Sequence, residues 1–290
     1  MHRYLLHNGA VRGADEVFLS PGQVGLLNGW GVFSTLRIRD GVLFEWHRHW
    51  RRMQHDAALL RVPFPASSEE TEQDLLRLVE ANQAWNATMR VSVIRNRGGK
   101  WEGPAVQGEY DVVAFTDELN TWEGGVKLGV APDARHAASE FAGVKYLSWA
   151  DNLTRYERAR IHGLDEVVLL NERGEVCECT SANIFAITGE HVWTPPLSAG
   201  CLPGVTRAVL LEELRAPGLR VAEKTLYLAD LEEADEVFIT SSTRAVLPVS
   251  SIEGLRIRQG GARHEKLQAA FSSYMDAYVA RRRRPVPANR

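Results

Sequence analysis

Residues 201–218 read CLPGVTRAVLLEELRAPG. Pro203 and Gly204 close a loop, Val205 and Thr206 open a helix, and Pro217-Gly218 stops it. The first turn of a helix carries unpaired N–H groups and the positive end of the macrodipole, which together suit a phosphate. Gly204 lets an anion come close to the backbone. A plain helix start punctuated by proline is the alternative reading of the same residues.

Working outward, EVFITSS (236–242) predicts a buried strand whose end offers the hydroxyls of Thr240, Ser241 and Ser242, with Thr243 following. The C-terminal edges of sheets are where α/β proteins hold ligands; a strand end that caps itself is the alternative. In VCECTSANIFAI (176–187) a lone carboxylate, Glu178, stands between Cys177 and Cys179. Period-two alternation puts both thiols on the face opposite Glu178. A half-buried glutamate needs a partner; on an exposed edge it needs none. Cys-x-Cys falls short of the four ligands a structural metal requires, so no metal is expected.

The chain has 290 residues, 44% hydrophobic and 24% charged, with a net charge of -3. That length implies two lobes or one large α/β domain. The charge offers no general attraction to nucleic acid or acidic lipid, so neither is expected as a partner. No apolar run approaches a membrane span, and MHRYLLHNGA lacks a signal-peptide core. Three cysteines cannot all pair, and the expected setting is cytoplasmic and reduced.

The first part alternates strands and helices. VLFEW (42–46) is read as a strand entering a helix, on which Trp46, Trp50, Met53, Ala57 and Leu60 form an apolar stripe. Ser67 and Glu70 make a capping box before a second helix. ATMRVSV (87–93) alternates as a half-buried strand, and YDVVAF (110–115) is another. The expected organisation is a small N-terminal α/β lobe over 1–118, a linker at 119–125, a larger lobe over 126–280, and a basic, disordered tail at 281–290. In the larger lobe the pattern predicts a helix over 152–162, two strands in EVVLLNERGEVCE, a hairpin in NIFAITGEHVW, and a last helix through Leu267, Phe271, Met275 and Val279.

Two cations complete the candidate chemistry. In HRHWRRMQ, Arg52 lies beside the apolar stripe and can reach inward, where its fork suits a phosphate; a solvated basic face is the alternative. In FAGVKYLSWADN (141–152), Lys145 is one of only five lysines. A phosphate site, a carboxylate and a lysine are together what pyridoxal 5'-phosphate requires. The lysine forms the Schiff base, the carboxylate keeps the pyridine nitrogen protonated, and the anchors hold the phosphate.

With these residues in view, the chain resembles the fold-type IV, or class IV, pyridoxal-phosphate enzymes, which include branched-chain aminotransferases, D-amino acid aminotransferases and aminodeoxychorismate lyases. The resemblance is collinear from LLNGWGVFSTLRI to LPVSSIEG. Its most specific blocks are VCECTSANIFAI, TPPLSAGCLPGVTR and ADEVFITSSTRAVLPV. It implies a two-lobed α/β (α+β) enzyme, a homodimer, transferring an amino group between an amino acid or amine and a 2-oxo acid. It implies that Lys145 is the Schiff-base lysine, that Glu178 pairs with the pyridine nitrogen, and that Arg52, Val205, Thr206 and Ser242 bind the phosphate. Leu202 would pack on the ring, and Asn183 is the family's asparagine after the glutamate.

The sequence also departs from the family pattern. Ser148 stands where asparagine is frequent, Tyr146 and Trp149 stand where some relatives have a ring-contacting tyrosine, and Cys179 replaces a glycine. Phe33-Ser34 with Thr35, and Lys100 in RNRGGKW, are nearer to the lyases. The second reading is therefore an aminodeoxychorismate lyase releasing p-aminobenzoate and pyruvate, with Phe33, Ser34, Lys100, Thr243 and Arg244 as substrate-binding candidates. A guanidinium at Arg244 would meet a substrate carboxylate. A non-catalytic member that binds the cofactor is the third.

Overall fold

Gly31–Arg39 is the strand that organises the N-terminal half. Val32, Leu36 and Ile38 are fully buried, and the strand pairs over its length with Ala87–Arg95. The computed structural model describes all residues except 17, 18, 21, 101–105, 107, 123 and 284–290. It divides into two compact units. The first holds residues 1–119, 145–148 and 273–290, and the second holds 120–144 and 149–272.

The first unit contains strands β1 (Tyr4–His7), β2 (Ala10–Gly13), β3 (Gly31–Arg39), β4 (Val42–Leu43), β5 (Ala87–Arg95) and β6 (Tyr110–Asp117), with helices α1 (Val24–Asn28), α2 (Trp46–Leu59) and α3 (Ser68–Asn82). The sheet runs β2-β1-β6-β5-β3-β4 and is antiparallel throughout. The stripe on α2 buries Trp46, Trp50, Met53 and Ala57 against Leu36, Met89 and Val91. Leu75, Leu78 and Val79 of α3 join the same core. Ser67 Oγ accepts from the Glu70 N–H at 3.1 Å, as the capping pattern predicts.

The strand expected over 42–46 is shorter. Glu45 takes a left-handed φ of 55°, which turns the chain out of β4 and into α2.

The second unit contains β7 (Val126–Arg135), α4 (Ala150–Ile161), β8 (Glu166–Asn171), β9 (Val176–Cys179), β10 (Asn183–Thr188), β11 (His191–Thr194), α5 (Val205–Glu212), β12 (Arg220–Glu223), α6 (Leu228–Glu233), β13 (Glu236–Ser241) and β14 (Ala245–Ile252), and the last helix, α7 (Arg263–Arg282), begins in it and belongs to the first unit from Ser273 on. Its sheet runs β12-β11-β10-β13-β14-β7-β8-β9. The β11–β12, β14–β7 and β7–β8 pairs are parallel and the others antiparallel. Phe185 and Phe238 sit opposite each other in β10 and β13 and stack, with centroids 4.8 Å apart.

Two segments fall outside the expected boundaries. Residues 145–148 belong to the first unit, although the sequence reading places Lys145 in the later lobe. The tail expected at 281–290 begins as helix, because α7 continues through Arg282; residues 284–290, Glu123 in the linker and Trp101 lie outside the described residues. No helix among the described residues is long and apolar enough to cross a membrane.

Phe238 is fully buried. Phe238→Ala removes a stacked, buried ring from the second sheet and is expected to cost about 3–5 kcal/mol. Chemical unfolding followed by circular dichroism checks this; a loss below about 1 kcal/mol would mean that the second sheet does not depend on the stack.

Candidate active site

Lys145 is fixed by its backbone. The Phe33 N–H donates to the Lys145 carbonyl at 3.1 Å, and the Leu147 N–H donates to the Gly31 carbonyl at 2.9 Å. Residues 145–147 thus run along the start of β3, with Tyr146 bridged to Val32. Gly31 is required for this approach. A Cβ there would lie 2.5 Å from the Val93 carbonyl oxygen and 2.6 Å from Leu147 Cδ1. The Lys145 N–H donates to Asp56 Oδ2 of α2 at 3.1 Å.

Phe33 and Ser34 are neighbours in β3, so their side chains leave opposite faces of the sheet. Phe33 opposes Ser92, which puts Arg90 on the same face one pair along. The Arg90 guanidinium lies 3.7 Å from the Phe33 ring centroid, and Lys145 Nζ lies 4.6 Å from it. Burial pushes the Arg90 pKa down, and no carboxylate among the described residues pairs with it. A half-buried cation beside an amine, on one aromatic ring, is an arrangement that takes a carboxylate.

Ser34 faces α2, whose residues His49, Arg52 and Asp56 share one side of the helix. Arg52 Nη2 donates to Ser34 Oγ at 2.7 Å, and Ser34 Oγ lies 2.7 Å from His49 Nδ1. Burial, then the charges of Arg52 and Lys145, hold the His49 pKa well below its usual value. Burial pushes Arg52 down to about 10, against the attraction of Asp56. Burial raises Asp56, although the Lys145 N–H and the Arg52 charge oppose that. Arg52 and the Lys145 backbone thus share Asp56, and a buried guanidinium is a group that suits an anion.

In the second unit Glu178 sits on β9, an edge strand, yet is 7% exposed. Arg135 Nε donates to Glu178 Oε1 at 2.9 Å, and the Leu202 N–H donates to Oε2 at 3.0 Å. Arg135 Nη2 also donates to Asn152 Oδ1, and Asn152 Nδ2 to the Thr180 carbonyl. Burial alone would lower the Arg135 pKa, but the charge and hydrogen bond of Glu178 outweigh it and the net direction is upward.

Asn183 Nδ2 donates to the Leu202 carbonyl at 2.9 Å. Its Oδ1 would lie 2.0 Å from a Cβ at position 204, so Gly204 admits no side chain. Gly204 is the N-cap of α5, and no side chain caps the first turn at Val205 and Thr206. Thr240 Oγ1 is buried with no hydrogen-bond partner among the described residues, while Ser242 and Thr243 are half-buried in the following turn.

Arg244 is engaged within its own unit. Its Nη2 pairs with the fully buried Glu166 at 3.0 Å, Nη1 donates to Ser181 Oγ at 2.9 Å, and the guanidinium covers the Trp122 ring. Thr180 and Ser181 hydroxyls also donate to Glu166. Lys100 is exposed.

The sequence candidates thus form two sets. Lys145, Phe33, Ser34 and Arg52 gather at the start of β3; Glu178, Asn183, Leu202, Val205 and Thr206 gather around the loop before α5. The donor set suits a phosphate-bearing cofactor: an uncapped helix start, a position closed to any Cβ, and an orphaned buried hydroxyl at Thr240. No cluster of metal-ligating residues occurs among the described residues. Arg90, Arg135 and His49 escaped the sequence reading. Alternation in ATMRVSV assigns Arg90 to water, and no local pattern marks Arg135 or separates His49 from its basic neighbours. All three cysteines are buried, and burial lifts each thiol pKa, Cys201 to about 12.

Residues 31–252 match the family described as Amino-transferase class IV, and the chain belongs to that family. The D-alanine aminotransferase of Bacillus licheniformis is 29% identical over 88% of this chain and 90% of its own length. The aminodeoxychorismate lyase of Vibrio harveyi is 30% identical over 83% of this chain and 90% of its own. The fold matches the structure of the branched-chain amino acid aminotransferase of Escherichia coli with a TM-score of 0.85, at 24% identity, covering 95% of both chains.

Folded His49 stays neutral below the 6.5 at which an unfolded histidine protonates. The unfolded state therefore gains a proton first as pH falls, and His49 costs stability below that value, by up to about 1.4 kcal/mol per pH unit. His49→Leu is expected to lose less melting temperature than the parent between about pH 7 and pH 5. Parallel thermal melts at both pH values check this, and equal losses would contradict it.

Proposed function

We propose that this chain is a pyridoxal-phosphate-dependent aminotransferase that moves an amino group between an amino acid or amine and a 2-oxo acid. The observation that carries the reading is the placement of Lys145 Nζ and the Arg90 guanidinium on one ring, Phe33. That pairs an amine with a cation able to hold a substrate carboxylate beside it.

When bound, pyridoxal phosphate supplies an electron sink for the pair left at the substrate Cα. Lys145 Nζ would hold the cofactor and would carry the proton to and from the substrate Cα. The backbone contacts of Lys145 to Phe33 and Asp56 keep that amine in register while its bonding changes. Glu178, held by Arg135 and the Leu202 N–H, would meet the pyridine nitrogen. Arg52, the N–H groups of Val205 and Thr206, and Ser242 would grip the phosphate. Leu202 would cover the ring, with Asn183 fixing its carbonyl.

The lyase stands as the second reading, and the residues that favour it lie in different settings. Ser34 is fully buried and bonded to Arg52 and His49, and Lys100 is exposed. With the family, we infer a homodimer, and the three unpaired cysteines are consistent with a cytoplasmic enzyme.

Purified protein given pyridoxal phosphate is expected to show a visible absorption band that changes on adding amino acids or amines, with a keto acid formed from the donor. The band should be missing in Lys145→Ala. Pyruvate and p-aminobenzoate from aminodeoxychorismate would favour the lyase instead, and a band that no amine alters would favour a non-catalytic binder. Arg90→Met is expected to raise KM for carboxylate-bearing substrates about tenfold to a hundredfold, the range of a lost charged hydrogen bond. An unchanged KM would remove Arg90 from substrate binding.

A further inference from the structure

We propose that His49 and Ser34 are positioning residues that aim Arg52 at the phosphate of the cofactor. The proposal rests on the cofactor reading above and concerns residues that this reading leaves without a role. Arginine only donates, so Ser34 Oγ accepts from Arg52 Nη2 at 2.7 Å. The one hydrogen of Ser34 is then directed to His49 Nδ1, also at 2.7 Å. That direction requires a neutral imidazole with its proton on Nε2. The surroundings supply that state: His49 is fully buried, and burial with two neighbouring cations disfavours its charged form. His49 Nε2 has no partner among the described residues, as a buried imidazolium with two donors could hardly tolerate.

The chemistry of the relay explains why a hydroxyl stands at position 34. Arg52 has a long, rotamer-rich side chain and a carboxylate one turn away, Asp56, toward which it would swing. A carboxylate at position 34 would hold the guanidinium but neutralise it. Ser34 holds it without neutralising it, so the charge stays available to a dianion. His49 in turn fixes the rotor of Ser34, which otherwise has three staggered positions. Ser34 therefore selects the anchor geometry and does not select the substrate.

The test is cofactor affinity of the apo-protein, measured by equilibrium titration with pyridoxal phosphate and, separately, with pyridoxal and with inorganic phosphate. Ser34→Ala and His49→Leu are each expected to weaken pyridoxal phosphate and inorganic phosphate binding about tenfold, with pyridoxal unchanged. The double variant should be no weaker than either single one, since both break the same relay. His49→Asn, which can still accept near the Nδ1 position, should recover most of the loss. Wild-type affinity in Ser34→Ala, additive losses in the double variant, or equal losses for pyridoxal would each overturn the relay. If the parent chain binds no pyridoxal phosphate at all, the cofactor reading itself fails, which is a separate result. Should His49→Leu not fold, Ser34→Ala alone decides, because it removes one buried oxygen and little volume.

Discussion

Two backbone hydrogen bonds set the position of Lys145. They join Phe33 to Lys145 and Leu147 to Gly31, and they make residues 145–147 an extra stretch of strand beside β3. A long side chain has little positional information of its own. Here the chain on which it stands is locked to a strand whose other edge is paired over eight residues with β5. Because β3 alternates, that one strand also sorts the neighbouring groups. Phe33 meets the Lys145 amine and the Arg90 cation on one face, and Ser34 meets the Arg52 guanidinium on the other.

The electrostatics of the two units follow different rules. Around β3 the guanidinium groups of Arg52 and Arg90 are buried or half-buried, and burial lowers their affinity for their protons. Such a cluster is costly when empty of anions and is compensated by binding one. Around Glu178 the charges are matched one to one. Arg135 and the Leu202 N–H occupy an oxygen each, so the carboxylate is oriented before any ligand arrives. Arg244 belongs to the matched kind, since Glu166 meets its charge.

Much of this was legible in the sequence, for identifiable reasons. The helix stripe on α2, the Ser67 cap, the hairpin at Gly189 and the helix start after Gly204 rest on local rules, and each occurs where the pattern puts it. Lys145, Glu178 and the Leu202–Thr206 loop are candidates drawn from blocks in a fixed order, which need no knowledge of contacts. Arg90 was hidden because alternation puts it on the polar face of β5, which reads as solvent-facing, whereas that face also carries Phe33. Arg135 was hidden because its partner is 43 residues away. Phe33 and Ser34 were grouped because adjacency in sequence was given more weight than the two-residue period that separates their faces.

The three buried thiols have a practical consequence. Thiolate, the reactive form, is suppressed at Cys177, Cys179 and Cys201, and each sulfur is shielded from solvent. All three lie in the second unit, on β9 and in the loop before α5. A thiol-specific reagent is therefore a clock for the opening of that unit: it leaves the closed protein untouched and labels three neighbouring sites as soon as β9 or the loop parts from the sheet. The chain carries a reporter of its own local unfolding, with no engineered label.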